Sequence, residues 1–315
     1  MSIDPMSTEL RDALADYELQ AIAAAVRAGE EILRVRERTY EVLAKDDKSP
    51  VTEADHAAHD IIHGALSPAG IPVLSEEGAE LPSGTRTAWS RLWIVDPLDG
   101  TKGFIQGSDN FTVNIALVEA NEPTFGVVYV PVSHKLFVGK PGAGAVRILL
   151  PEGEVDSDRI WDGALALPEQ INAEGVSASA GPASGGPERA GVDNGGTAAR
   201  PLRVVASKSH RNAETDAYID YLGEVYGEIE LVSESSSKKL CAIAEGSADI
   251  YPRLGRTMEW DIAAGDAVVR ASGGAVLSVE DGMALRYNKR DLASPHFVAL
   301  RAGLEVKHDV TGRPS

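Results

Sequence analysis

The chain has one cysteine, Cys241, in 315 residues. No intrachain disulfide can form, so a reducing, cytoplasmic setting is expected. Long apolar runs are missing too, and none approaches the roughly 20 residues that cross a bilayer. The opening "MSIDPMSTELRDALADYELQ" has neither a basic head nor an apolar segment, so no secretory signal is expected. Peripheral association with an inner membrane would leave no mark of this kind and stays open. Bases are scarce against acids, 30 to 48, for a net charge of −18. A surface so acidic argues against nucleic acid or anionic membrane as partner, because both are negative. Small phosphorylated ligands remain allowed, since cations bound in a site invert its local field.

What is present suffices for a folded protein. Hydrophobic residues make up 43% of the chain, a globular value, and the length suits two domains of ordinary size. Leu10, Leu14, Tyr17, Ala21, Ala25, Ala28, Ile32 and Val35 recur at spacings of three and four, which predicts one long N-terminal helix. "KSPVTEAD" then opens a second helix, with Thr52 as N-cap, Asp55 three residues on, and Ala54, Ala58, Ile61 and Ala65 as its buried face. His56, His59 and His63 share another face of that helix. They project away from the apolar stripe, and the solvated reading is adopted over a metal site.

Strands are predicted in quick succession at 71–74, 92–95, 111–119, 125–130, 135–140 and 145–150, a largely antiparallel sheet packed by the two helices. Between about Pro168 and Pro201 the chain turns to Gly, Ala, Ser and Pro and reads as a flexible surface excursion. Alternating strands and helices follow. The expected divisions are an α+β domain over 7–150 holding most metal ligands, a connecting region over 151–201, and an α/β domain over 202–305.

Acids stand where these elements end. Glu76 and Glu77 follow "IPVLS", Asp96 and Asp99 follow "LWIV", and Asp261 opens the helix "WDIAAGDAVV". Each alone has a plain reading: a turn, an acidic loop, or a first-turn acid favoured by the helix dipole. Together, after buried apolar segments, they suit magnesium, which takes carboxylate, carbonyl and water oxygens. In "DPLDG", Asp96, the Leu98 carbonyl and Asp99 can converge, Gly100 permits a sharp exit, and the Thr101 hydroxyl is placed to hold a metal-bound water.

"DPLDGTKGF", with "SEE" upstream and "WDIAAG" downstream, resembles the metal-dependent, lithium-sensitive phosphatases of the inositol monophosphatase superfamily, over nearly the whole chain. Within it, "DGTKGF", "VVASKSHRN" and "SSSKKLCAIAEGSADIYPRLG" are similar to the 3′(2′),5′-bisphosphate nucleotidase branch. The resemblance implies an α/β fold, a layered αβαβα sandwich of the inositol monophosphatase and fructose bisphosphatase type. It implies two magnesium ions, with a third leaning on water and Glu76. Glu76, Asp96 and the Leu98 carbonyl would hold one, and Asp96, Asp99 and Asp261 the other, with Glu77 as fallback for Glu76. Thr101 would orient the attacking water and Asp55 take its proton. Gly100, Thr101 and Asp261 would border the substrate; His210, Ser237, Lys239 and Arg253 would recognise a second phosphate or the nucleotide. Lys102 is a neighbour of the site and Lys48 a candidate for ordering the loop above it. The implied substrate is adenosine 3′,5′-bisphosphate or its sulfated form, in nucleotide recycling and sulfur assimilation. Inositol phosphate, fructose 1,6-bisphosphate, or phosphate binding without catalysis are the rivals. A monomer or a homodimer fits equally.

Overall fold

The stripe that predicts one N-terminal helix is divided in the computed structural model, which describes residues 5–44, 50–79, 81–153, 159–168, 200–207 and 211–304. Helices α1 (Pro5–Ala13) and α2 (Asp16–Arg36) meet at Leu14 and Ala15. The Glu18 carboxylate turns back and accepts from the Ala15 amide at 2.8 Å, starting a new helix. Glu18 is buried and bound to Lys140 Nζ at 2.7 Å, which anchors the break. The register of apolar residues survives it, since Leu10 and Val35 both reach the core. Periodicity alone therefore could not reveal the division.

A hairpin of β1 (Val42–Ala44) and β2 (Pro50–Thr52) leads into α3 (Glu53–Leu66). The buried face of α3 is Ala54, Ala58, Ile62 and Leu66, with Ile61 and Ala65 only half-buried at its margin. The stripe is thus turned by one residue from the expected face. Strands β3 (Val73–Ser75), β4 (Arg91–Asp99), β5 (Thr112–Glu119), β6 (Glu122–Val130), β7 (Lys135–Lys140), β8 (Gly144–Leu149) and β9 (Leu165–Ala166) form one sheet in that order. β3 and β4 run parallel, and every later pair is antiparallel. Two short helices, α4 (Ser83–Arg86) and α5 (Thr101–Ile105), flank β4 in the chain.

The second sheet has the order β11–β10–β12–β14–β13. It comprises β10 (Leu202–Ala206), β11 (Ile229–Ser233), β12 (Ile250–Arg253), β13 (Ala275–Ser278) and β14 (Phe297–Leu300), with α6 (Ala213–Tyr226), α7 (Lys238–Glu245) and α8 (Glu259–Ala271) between them in sequence. β11 and β14 were not expected. β11 is an edge strand with Leu231 half exposed, and β14 is four residues long. Neither carries a clear period.

β4 shows how the layers arise. Trp93 and Val95 point into the core beneath α2 and α3, whereas Leu92 and Ile94 point into the core around α7 and α8. Successive strand residues face opposite sides, so a strand buried on both must read as an unbroken apolar run. Tyr251, Val276, Phe297 and Ala299 of the second sheet close the α7/α8 core from below. Val204, Ile250 and Val298 face the opposite way, onto Tyr218, Ile219 and Leu222 of α6. The result is five layers, αβαβα.

Two features fix this packing, one between layers and one within a sheet. α8 lies directly on sheet backbone: a Cβ on Gly126 would sit 2.3 Å from the Ala264 carbonyl oxygen, and one on Gly139 would sit 2.6 Å from Val268 Cα. In the second sheet, buried Asp249 binds Arg200 at 2.7 Å, Arg203 at 3.2 Å and Arg301 at 2.5 Å. Burial alone would raise its carboxyl, but hydrogen bonds from Arg200 and Arg203 hold it well below the usual range. The excursion over 169–199 lies outside the described residues, as do Lys48 and His210.

Candidate active site

β4 delivers the first acids, and it does so through a bulge. Asp96 pairs with Asn114 and Asp99 with Thr112, so Pro97 and Leu98 face the single residue Val113. One extra residue bends the strand and re-aims its side chains. The Leu98 amide donates to Asp96 Oδ1 at 3.0 Å, which closes the bend. Asp96 continues the Ile94 face, toward α8. Gly100 follows with φ 102°, where a Cβ would lie 2.6 Å from Ser236 Oγ and 2.8 Å from the Asn110 carbonyl oxygen. Only glycine fits that turn.

Glu76 arrives from the end of β3, its amide bonded to the Val95 carbonyl at 3.0 Å. Asp261 arrives from the first turn of α8. Its Oδ2 accepts from the Met258 amide at 2.9 Å and from Thr257 Oγ1 at 2.7 Å, so the same carboxylate caps the helix. Oxygens of Glu76, Asp96 and Asp261 all lie within 4.8 Å of one another. Glu77 is outside this group. Burial first, then Glu76, Asp99, Asp261 and Asp55, push the Asp96 carboxyl well above its usual range. Asp261 is pushed up to about 6 by burial and by Asp99. Three carboxylates crowded against one another, one of them 1% exposed, fit a hard divalent cation, which removes the repulsion and accepts oxygen donors.

Asp99 stands beside this trio with Oδ2 turned to α7. It accepts from the Ser237 amide at 2.8 Å and lies 3.0 Å from Ser237 Oγ. Ser237 is buried, and its hydroxyl also meets the Asp261 carbonyl oxygen at 2.7 Å and accepts from Asn114 Nδ2 at 2.8 Å. It braces the starts of α7 and α8 against β5. Ser236, at φ 51°, has Oγ 3.2 Å from the Asp99 carbonyl oxygen. Thr257, Asn114 and Ser236 were not singled out from the sequence. Thr257 stands one residue before the N-cap Met258, outside the capping-box spacing, and like Asn114 and Ser236 it gave no local sign.

On the other flank, Thr101 Oγ1 donates to Asp55 Oδ1 at 2.9 Å and lies 3.2 Å from the Leu98 carbonyl oxygen. The second oxygen of Asp55 accepts from the Thr52 amide at 2.7 Å and from its hydroxyl at 2.6 Å. One buried carboxylate thus caps α3 and holds Thr101. Lys239 projects from α7, 6% exposed, with Nζ 2.7 Å from the Ser236 carbonyl oxygen and 5.4 Å from the centre of the Tyr251 ring. Burial pulls its pKa down to about 8, with Asp99 opposing and Arg253 assisting. Arg253 is half-buried and donates to the Arg256 carbonyl at 2.8 Å.

Glu76, Asp99, Gly100, Thr101, Ser237, Lys239, Arg253 and Asp261 all line one cleft of about 550 Å³, with Lys102 at its border. That volume admits a nucleotide-sized ligand. The carboxylates share this cleft with three cations, Lys102, Lys239 and Arg253.

The chain as a whole has counterparts. The inositol monophosphatase family profile matches residues 13–308. The 3′(2′),5′-bisphosphate nucleotidase CysQ of Escherichia coli K12 is 37% identical over 278 residues, covering 86% of this chain and 94% of that protein. The protein of the same name from Haemophilus influenzae is 28% identical over 284 residues, covering 89% and 90%. The crystal structure of CysQ from Bacteroides thetaiotaomicron, a bacterial member of the inositol monophosphatase family, matches with a TM-score of 0.73 at 39% identity, over 91% of this chain and 97% of that one. This chain belongs to the inositol monophosphatase family.

Proposed function

We propose that the protein is a magnesium-dependent 3′(2′),5′-bisphosphate nucleotidase. It would hydrolyse the 3′-phosphate of adenosine 3′,5′-bisphosphate, or of its sulfated form, to leave the 5′-nucleotide and phosphate. The observation that carries the reading is one cleft lined by both the carboxylates and the pair Lys239 and Arg253. A monoester needs the first set; a substrate with a second phosphate needs the other. The CysQ proteins that this chain resembles carry the same activity in their name.

Glu76, Asp96, Asp99, Asp261 and the Leu98 carbonyl would hold the magnesium ions. Bound there, magnesium neutralises phosphoryl oxygens and lowers the pKa of water. Thr101 Oγ1 spends its own proton on Asp55, so its oxygen is left to accept a proton from the attacking water. Asp55, fixed by two donors from Thr52, takes up the proton that passes through Thr101. Lys239, with a pKa near 8, is mostly charged at neutral pH and meets the second phosphate as a point charge. Arg253 offers a planar donor fork to the same phosphate or to the base.

The test is phosphate release from adenosine 3′,5′-bisphosphate beside inositol 1-phosphate and fructose 1,6-bisphosphate, with magnesium, with EDTA, and with lithium. Preferential turnover of the nucleotide, lost in EDTA and in Asp96→Asn, is expected. A preference for inositol phosphate would sink the roles of Lys239 and Arg253 while leaving the metal ligands intact. No turnover of any substrate with magnesium bound would refute catalysis altogether.

A further inference from the structure

None of the α3 histidines lines the cleft. We propose that His59 and His63 form a chelating site for a borderline divalent transition cation of the zinc or nickel class, separate from the carboxylate cluster. The two stand one helical turn apart, and their rings lie face to face, centres 5.6 Å apart and planes 26° from parallel. A shared cation would take one nitrogen of each ring at roughly 2.0–2.1 Å, and the one-turn spacing puts both rings on the same face of α3.

Hydrogen bonding prepares both rings. Ser67 Oγ donates its only proton to the His63 carbonyl oxygen at 2.6 Å. Its 3.2 Å contact with His63 Nδ1 must then run the other way, ring N–H to hydroxyl oxygen. That places the proton on Nδ1 and leaves the Nε2 lone pair for a ligand. His59 Nδ1 is likewise held, 2.9 Å from Ser75 Oγ. An anchored second nitrogen is the usual support of a metal-binding histidine. His59 is half-buried, and burial, then His63 and His56, lower its pKa against the pull of Asp60. Its neutral, ligating form is therefore favoured. His63 is exposed, so water can complete the coordination.

Donor chemistry keeps the two sites apart. Imidazole nitrogens suit zinc, nickel and copper, whereas carboxylate and carbonyl oxygens suit magnesium. Ser75, which holds His59, is the residue before Glu76, so the pair abuts the strand that carries the first carboxylate. The proposal does not depend on the nucleotidase reading.

The experiment is calorimetric titration of tag-free protein with zinc in saturating magnesium, for wild type, His59→Gln, His63→Gln and Ser67→Ala. One zinc per wild-type chain is expected at the pair, weakened at least about tenfold in either histidine variant and about tenfold in Ser67→Ala. His63→Gln should release phosphate with magnesium at the wild-type rate. Zinc binding that is absent from wild type, or equal in wild type and both histidine variants, would overturn the proposal; the second result would mean zinc at the carboxylates only.

Discussion

Replacing Asp261 by asparagine should stabilise the metal-free protein while abolishing its response to magnesium. The Asp261 carboxyl is pushed from 3.8 to about 6 by burial and by Asp99. Two pKa units correspond to about 3 kcal/mol, the amount by which ionised Asp261 destabilises the metal-free fold at pH 8. Asparagine keeps a side-chain oxygen for the Met258 amide and Thr257, so the cap of α8 survives. Recovering about 1–3 kcal/mol, at about 2 °C per kcal/mol for a chain of this size, should raise Tm by about 2–6 °C. The pH dependence has a fixed sign. Between about pH 4 and 6 the native Asp261 carries a proton that the unfolded state lacks, so the penalty from this group fades as pH falls from about 7 to 4. The advantage of the variant must therefore shrink by pH 5. Calorimetric melting in EDTA at pH 8 and pH 5, and with magnesium at pH 8, reads all three effects. A variant that melts at or below wild type in EDTA at pH 8, or a gap unchanged at pH 5, would refute the crowding of charge on which the site's reading rests.

Thr101→Val, which deletes the hydroxyl bound to Asp55, should lower kcat by roughly 10²-fold or more while Thr101→Ser retains most of it; equal rates for the two would rule out the relay. Gly126→Ala should cost about 2 kcal/mol or more, because its Cβ would meet the Ala264 carbonyl oxygen at 2.3 Å; an unchanged urea midpoint would contradict the packing. Asp249→Asn leaves three arginines without their shared carboxylate and should cost about 3 kcal/mol at neutral pH. Because the folded pKa of Asp249 is depressed, its contribution is present above about pH 4 and is lost as pH falls further. The variant's deficit should accordingly narrow in acid, which denaturation at pH 7 and pH 3 would measure.

The layered fold was legible where burial repeats in sequence. "LWIV" reads as a strand buried on both faces because both faces are covered. The antiparallel run from 111 to 150 was readable because its strands are separated by short turns. The helix break at Leu14 was not, since its cause is the Glu18 carboxylate and a lysine 122 residues away. The acids of the site were legible because strand ends and helix starts hold them. The braces around them were not. Asn114 looks like any polar residue in a strand, and only the fold carries it to Ser237, 123 residues on. The α3 histidines show the opposite limit: periodicity placed them away from the core, yet His59 reaches Ser75 from the edge of that face.

The seating of α8 on bare main chain has a mechanical consequence. Where a helix rests on side chains, a substitution is absorbed by rotamer changes around it. At Gly126 and Gly139 nothing soft intervenes, so an added methyl group must displace the helix as a rigid body. Asp261 rides its first turn, about 10 Å along the axis from Val268, the residue above Gly139. The helix then works as a lever with a carboxylate at its tip. Substitutions on the far strands β6 and β7, none of whose residues lines the cleft, should be felt as altered spacing between Asp261 and Asp96.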